Sequence, residues 1–316
     1  KQSGILHSTM NRTRFSVGWR MKMNNPRYPL YIISKGRSDT MLTSRSLSRM
    51  KTPHNIAVEP QDYPLYDKAI DDFGIREWVT LHELPFSNHG QGSAPARNWC
   101  WEHSIVNGFE RHWVMDDNIS DFYRLHKNLR ARVESSAIFR AAEDFTDRYE
   151  NVKISGFQYR FFIAPQQKYP PYVANTRIYS CMLIQNDCKH RWRGKYNEDV
   201  DLCLQVLKDG DCTVQFNAFL QGKSATQTVK GGNTEEIYNA DKMDYQDTTR
   251  EKSEFLVKNH PRHVARLVKR YGRWHHHVDY RPFKNNKLIR KSDIEIPQGV
   301  NNYGMRFVTD WSGSEY

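Results

Sequence analysis

Two groups of carboxylates stand out by residue type and by setting. Arg111-His-Trp-Val-Met-Asp-Asp-Asn-Ile119 runs from a mostly apolar, strand-like stretch straight into Asp116, Asp117 and Asn118. Hard oxygen donors bunched at the end of a buried strand suit Mg²⁺ or Mn²⁺, and a cation held there would carry a diphosphate. A polar turn uses the same residue types, because Asp and Asn also favour turns. The second group is Glu198-Asp199, which follows Asn197 and opens an apolar-periodic run through Val200, Leu202, Leu204, Val206 and Leu207 that stops at Gly210. With Asn197 as the expected helix cap, both carboxylates fall in the first helical turn. There they either complement the helix dipole or present a proton acceptor to a reacting hydroxyl.

For these groups to meet, the chain around them must form one sheet. Pro29-Leu-Tyr-Ile-Ile33 reads as a strand that stops at Ser34-Lys-Gly-Arg37 before a helical stretch from Asp39 to Met50. Gly36 permits close backbone approach, and Lys35 and Arg37 bring positive charge, so the turn reads as an anion-binding turn. Asn55–Glu59 reads as a strand, Gln61–Phe73 as a helix and Glu77–Leu81 as a third strand. Such alternation predicts a mostly parallel, helix-covered sheet. A Gly-rich loop, Ser87–Ser93, then leads to Pro95-Ala-Arg97-Asn98 at the start of a helix reaching about Asn107. Residues 129–149 are expected to be helical, and Val152–Phe157 and Thr176–Ile184 to be strands. The loop between those strands, Gln166–Tyr172, is aromatic and proline-rich, of the kind that lines acceptor sites. Lys230-Gly231-Gly232-Asn233 offers consecutive amides that would close over a diphosphate, and residues 242–259 read as a polar, mostly solvated helix.

The formal charge of +11 and a pI near 9.3 make a polyanion the first partner to consider, either nucleic acid or an anionic membrane surface. Between Arg262 and Lys291 ten Lys and Arg residues stand against one acid, Asp279, so much of the excess charge is local. Tyr271, Trp274, Tyr280 and Phe283 interleave with them, and aromatics stack on bases while cations hold phosphates. Lys269, Arg270, Arg273, Lys284 and Lys287, with Arg191 and Arg193, are the candidate DNA contacts. Five cysteines with no CxxC spacing argue against a zinc ribbon or a disulfide framework and for a reducing cytoplasm. No apolar run approaches the roughly 18 residues that a membrane span needs.

Taken in order, Gly92, Ala96-Arg97-Asn98, the strand ending in Asp116-Asp117-Asn118 and the later Asn197-Glu198-Asp199 resemble a GT-A type nucleotide-sugar glycosyltransferase. More narrowly, Tyr31-Ile-Ile-Ser-Lys-Gly-Arg37, Val58-Glu-Pro60, Trp113–Ile119, Lys230–Asn233 and Trp274–Tyr280 resemble the TET-associated glycosyltransferases, over about residues 28–290. These are chiefly phage-type enzymes associated with glycosylation of 5-hydroxymethylpyrimidines in DNA. The resemblance implies an α/β, GT-A (Rossmann-like) fold with a mixed, mostly parallel sheet covered by helices and a basic C-terminal extension. It also implies a layout of an N-terminal extension over 1–27, a nucleotide-sugar and catalytic domain over 28–240, and a helical, basic region over 241–316 that completes the site and binds DNA.

On the same resemblance, a UDP-sugar is held by Ser34, Lys35, Gly36, Arg37, Glu59, Arg97, Asn98, Asp116, Asp117, Lys230, Gly231 and Gly232. A divalent metal, Mn²⁺ or Mg²⁺, sits on Asp117 and Asn118, with His275 or His276 as a late ligand. Asn118 stands where the common motif has Asp, and three adjacent histidines cannot all face one site. Asp199, with Glu198 beside it, is the general base if the anomeric centre inverts. The acceptor implied is 5-hydroxymethylcytosine in double-stranded DNA, and the location a host cytoplasm if the chain is phage-encoded. Two other readings stay open: a non-catalytic nucleic-acid-binding module of GT-A fold, and a transferase with a protein or glycan acceptor.

Overall fold

Short apolar runs buried on both faces need cover on both sides, and the chain supplies it by alternating them with helices. The computed structural model describes residues 26–223, 245–270 and 272–294, so Lys230, Gly231 and Gly232 lie outside the described residues. The first half runs β1 (Leu30–Ile33), α1 (Leu42–Arg49), β2 (His54–Val58), α2 (Tyr63–Asp72), β3 (Val79–Glu83), α3 (Ala94–Val106) and β4 (Arg111–Asp116). After these come β5 (Ile119–His126), β6 (Leu129–Arg132), α4 (Ala137–Thr146), β7 (Val152–Tyr159), β8 (Tyr172–Ala174) and β9 (Cys181–Gln185). The last described elements are α5 (Glu198–Lys208), β10 (Cys212–Lys223), α6 (Tyr245–Asn259) and the hairpin β11 (Ala265–Arg270) and β12 (Arg273–Val278).

The large sheet has the order β3-β2-β1-β4-β9-β7-β10-β5-β6, with β8 also on β10. Strands β1 to β4, β6, β7 and β10 point one way, and β5, β8 and β9 oppose them. This is the mixed, mostly parallel α/β sheet that the alternating pattern predicts. From β1 the chain moves outward to β2 and β3, while β4 lies on β1's other side with Ile33 beside Asp116. A reversal of that kind leaves a crevice at the carboxyl ends of the strands. Strands β7 and β10 end at the same edge, at Tyr159 and Lys223, and antiparallel β9 begins there just after Ser180.

One face of the sheet packs a ring cluster, Trp113, Phe122, Phe139, Phe157 and Phe219, in which Phe139 and Phe157 stack 5.3 Å apart. The other face packs Val114, Ile154, Met182 and Ile184 against Trp101 of α3 and Leu202 and Val206 of α5. Helix α6 and the β11–β12 hairpin dock on α5 through Val200, Leu204, Leu207, Leu256 and Val264. Ser253 and Leu256 are thereby buried, while the other described side chains of α6 keep partial or full exposure, as expected of a mostly solvated helix.

Three expectations are corrected. Leu129–Arg132, read as the start of a long helix, is strand β6, turned back on β5 by Lys127 and Asn128 with φ of 47° and 61°. The strand expected over 176–184 begins only at Cys181, because Ser180 takes a left-handed φ of 58°. Asn197 does precede α5, yet with φ of 53° and no side-chain capping bond; its amide donates to the Lys252 carbonyl at 2.7 Å and so ties α5 to α6. Among the described residues no helix is long and apolar enough to cross a membrane.

Candidate active site

The acidic turn after β4 is held from α1. Thr43 donates its hydroxyl to the Asp116 carbonyl at 2.7 Å, accepts the Ile119 amide at 2.9 Å, and gives its own amide to the Asp117 carbonyl at 3.2 Å. With the backbone pinned, the two carboxylates diverge. Asp116 accepts from Arg97 Nη2 at 2.6 Å, Lys223 Nζ at 2.5 Å and Ser180 Oγ at 2.7 Å. Asp117 accepts from Ser34 Oγ at 2.6 Å and forms an ion pair with Arg37. Burial works to raise the Asp116 pKa, but Lys223 and Arg97 outweigh it and hold the carboxyl well below the usual range.

Helix α5 brings the second acidic group to Arg97 from the other side. Gly92 allows this approach: its φ is 66°, and a Cβ there would lie 2.8 Å from the Lys195 carbonyl oxygen. Ser93 accepts from Arg97 Nε at 3.1 Å and donates to Glu198 at 2.6 Å. Asp199 accepts the Val200 amide at 2.8 Å. Its pKa is pushed up to about 7, by burial first and by the Glu198 carboxylate second, with Arg97 opposing. Arg97 is therefore the hinge of the site, in electrostatic reach of Asp116, Glu198 and Asp199. Its guanidinium lies 4.7 Å from the Trp192 ring centre, and its Nη1 is buried with no hydrogen-bond partner. A buried cationic donor left open calls for an anionic acceptor.

Lys223 is the residue that sequence reasoning misses. It bonds Ser180 Oγ at 2.7 Å as well as Asp116, which leaves one of its three N–H groups unspent. Tyr159 shares this corner, its hydroxyl 2.7 Å from Ser180 Oγ and its ring 5.8 Å from Lys223 Nζ. The available signal was a charged residue closing a long buried strand, at the edge where such sheets bind ligands.

Other predicted residues are placed differently. The Ser34–Arg37 turn is not an open amide cradle, since the Ser34, Gly36 and Arg37 amides already donate to Ala57, Asp62 and Tyr66. Lys35 pairs with Glu59 at 3.1 Å, so these two sit together at the ends of β1 and β2. Asn98 exchanges hydrogen bonds with the Trp192 backbone in both directions and positions that segment. Arg193 forks onto the fully buried Asp201 at 2.9 and 3.0 Å, and Arg191 is tied to Glu102 and the Cys188 carbonyl. Both anchor the fold through these pairs, and the Arg193 side chain is still 45 % exposed.

Lys269 and Arg270 are exposed at the turn of the β11–β12 hairpin, and the Arg273 side chain lies outside the described residues. Lys284 and Lys287 are exposed too, but their segment binds Asn151 and Asp211, which precede β7 and β10. That is the sheet edge opposite the acidic residues.

The model of a family described as TET-Associated Glycosyltransferase matches residues 28–232, a span that holds the whole large sheet and both acidic groups. The chain belongs to the TET-associated glycosyltransferases. No curated protein matches it. For this glycosyltransferase the expected metal donors do not fit a divalent cation. Each oxygen of Asp116 and Asp117 already accepts from a cation or a hydroxyl. His276 is flanked by Lys252 and Arg177, and burial with those charges lowers its pKa to about 4. His275 is exposed on the same strand. Among the described residues no group of three or more His, Cys, Asp or Glu is arranged to hold a metal. Asn118 Oδ1 is buried without a partner, and one amide oxygen falls short of the several oxygens such a cation takes. Among the described residues, Arg97 and Lys223 bring positive charge to this site.

Proposed function

We propose that the protein transfers a sugar from a UDP-sugar to the hydroxymethyl oxygen of 5-hydroxymethylcytosine in DNA. The observation that carries this reading is the convergence of Asp116, Glu198 and Asp199 on Arg97, whose buried Nη1 is unpartnered. Family membership supports glycosyl transfer, and the net charge of +11 supports a polyanionic acceptor. In this mechanism Asp199 takes the proton of the acceptor hydroxyl while that oxygen bonds to the anomeric carbon. The bond from that carbon to the diphosphate breaks, and the electron pair leaves with UDP. Lys223 and Arg97 meet the charge that develops on the diphosphate oxygens, as fixed donors in a water-poor site do best. An acid with a pKa near 7 is well matched to accepting a proton at neutral pH.

The test offers hydroxymethylated DNA with a panel of UDP-hexoses and UDP-pentoses, followed by digestion and mass analysis of the nucleosides. A mass gain of one sugar on 5-hydroxymethylcytosine is expected, and the productive donor assigns the enzyme as hexosyl- or pentosyltransferase. Transfer to a protein or glycan acceptor with none to DNA would overturn the DNA reading. Binding of DNA with no transfer from any donor would overturn the enzyme reading.

A further inference from the structure

Beside the catalytic corner a ladder of aromatic rings leads out to solvent. Tyr179 and Tyr159 stack at 5.6 Å with 6° between their planes, and Phe161 stacks on Tyr159 at 5.3 Å and 18°. Its inner end feels the reaction site, since Asp199 acts electrostatically on both tyrosines. Its outer end is open: Phe161 is 64 % exposed and Phe162, with its ring centre 4.1 Å away, is 46 % exposed. A pair of large apolar rings left in water next to Tyr159, whose hydroxyl shares the Ser180 corner with Asp116 and Lys223, is costly unless something covers it.

The surroundings indicate what does. Phe161 and Phe162 lie in a 3-10 turn, Arg160–Phe162, that follows β7 and packs over the β5–β6 hairpin. Arg130 donates to the Arg160 carbonyl at 3.3 Å, and the Arg160 guanidinium lies 4.6 Å from the Tyr123 ring centre. Pairing of Tyr123 with Arg132 and of Leu125 with Arg130 puts both arginines on the hairpin face that carries Tyr123. From Phe122 to Val133 the sequence has four Lys and Arg and no acid, and from Tyr159 to Pro170 it has two and no acid. Of the acids that flank the hairpin, Asp121 is paired with Arg49. The other, Glu134, pairs with Arg132 at 2.7 Å where both are half exposed, a contact of little energetic weight. Stacking surfaces flanked by cations are how proteins grip nucleobases on a charged backbone. A hydrophobic protein partner would not call for the arginines, and a free anion would not call for the rings.

We propose that the Phe161–Phe162 corner stacks on a nucleobase of the acceptor strand next to the modified cytosine, with Arg130, Arg132 and Arg160 on its phosphates. This rests on the DNA reading above and moves the acceptor interface from the C-terminal basic segment to the β5–β6 side of the cleft. An aromatic wedge at this mouth also holds open the gap that an extruded base leaves, a step needed to bring a major-groove hydroxyl to a half-buried carboxylate.

The experiment compares the wild type with Phe161→Ala/Phe162→Ala and Phe161→Tyr/Phe162→Tyr on hydroxymethylated DNA, offered as duplex and as single strand. The KM for DNA is expected to rise about tenfold or more in the alanine variant, the scale of a lost base–aromatic stack. The KM for the UDP-sugar is expected to hold, and the tyrosine variant to restore the DNA KM. Wild-type transfer to DNA with an unchanged KM in the alanine variant overturns the inference and leaves the DNA reading standing. A fall in melting temperature with no change in KM also overturns it, since the rings would then be covering another part of this chain. No wild-type transfer to either form of DNA is the distinct failure of the DNA reading itself.

Discussion

The two acidic poles of the cleft hold the same functional group in opposite surroundings. Asp116 is enclosed by Lys223, Arg97 and Ser180, while Asp199 feels Glu198 as its largest charged influence, with Arg97 and the more weakly coupled Lys223 in opposition. Both are half-buried, and desolvation pushes both pKa values up. What differs is the neighbour, and it sends Asp116 below the usual carboxylate range and Asp199 above it. Environments that drive two carboxylates apart assign them different work: one stays an anion that orders cations, the other exchanges a proton.

The largest test of this contrast is Asp199→Asn. It keeps the shape and removes the base, and loss of a general base typically costs about 10²- to 10⁴-fold in rate. Turnover of UDP-sugar and hydroxymethylated DNA should fall by that order with no loss of melting temperature at the pH of the assay. Near-normal turnover would remove Asp199 from the mechanism. Linkage gives a second readout with an unusual sign. Because the folded pKa is raised, the group's contribution to stability is fully present below its unfolded pKa near 4 and is lost as pH rises toward about 7. An amide at this position has no proton to lose, so the variant should gain melting temperature over wild type at pH 8 but not at pH 4.

Next in size is the cationic pole. Replacing Lys223 by Ala removes a preorganised donor from the leaving group, a change worth about 10²- to 10³-fold in kcat at comparable sites. Lys223→Arg, which keeps the charge, should recover part of it. If side chains supply the positive charge, EDTA should leave wild-type transfer at its untreated rate. Activity that collapses with EDTA and returns with Mn²⁺ would return the role to a metal and sink this account of Lys223. Asp116 also predicts the ordinary acid behaviour that Asp199 reverses: its stabilising pairs persist above the unfolded carboxylate pKa and are lost as pH falls.

The contrast also explains what could be read from the chain alone. Asp116, Asp117, Glu198 and Asp199 were legible because strand, turn and helix signals around them are local, and α/β alternation then puts strand ends on one edge. Lys223 was not, since its role exists only when β10 lies two places from β9 in the sheet and ends beside Ser180. The β5–β6 hairpin was hidden because Leu129-Arg-Ala-Arg132 suits a helix by propensity, and only cross-strand pairing with β5 overrides it. For Lys284 and Lys287, charge was legible and direction was not. Asn151, Asn175 and Asn286 hold residues 283–289 against the amino ends of β7 and β10 through bonds that no periodicity announces.

The smallest expected effect is the finest probe of the acidic pole. Glu198 is the second cause of the raised Asp199 pKa, after burial. Glu198→Gln removes that charge while an amide oxygen can still accept the Ser93 hydroxyl, which keeps the link to Arg97. In the wild type, transfer requires Asp199 ionised, so kcat/KM should rise with pH and level off above about 7. In the variant the midpoint of that rise should move to lower pH, because ionising Asp199 no longer works against a neighbouring anion. The height of the plateau can change for other reasons; the direction of the midpoint cannot. A midpoint that stays put would mean burial alone sets the Asp199 pKa, and an upward move would mean that Glu198 organises cations around Asp199 instead of opposing its charge.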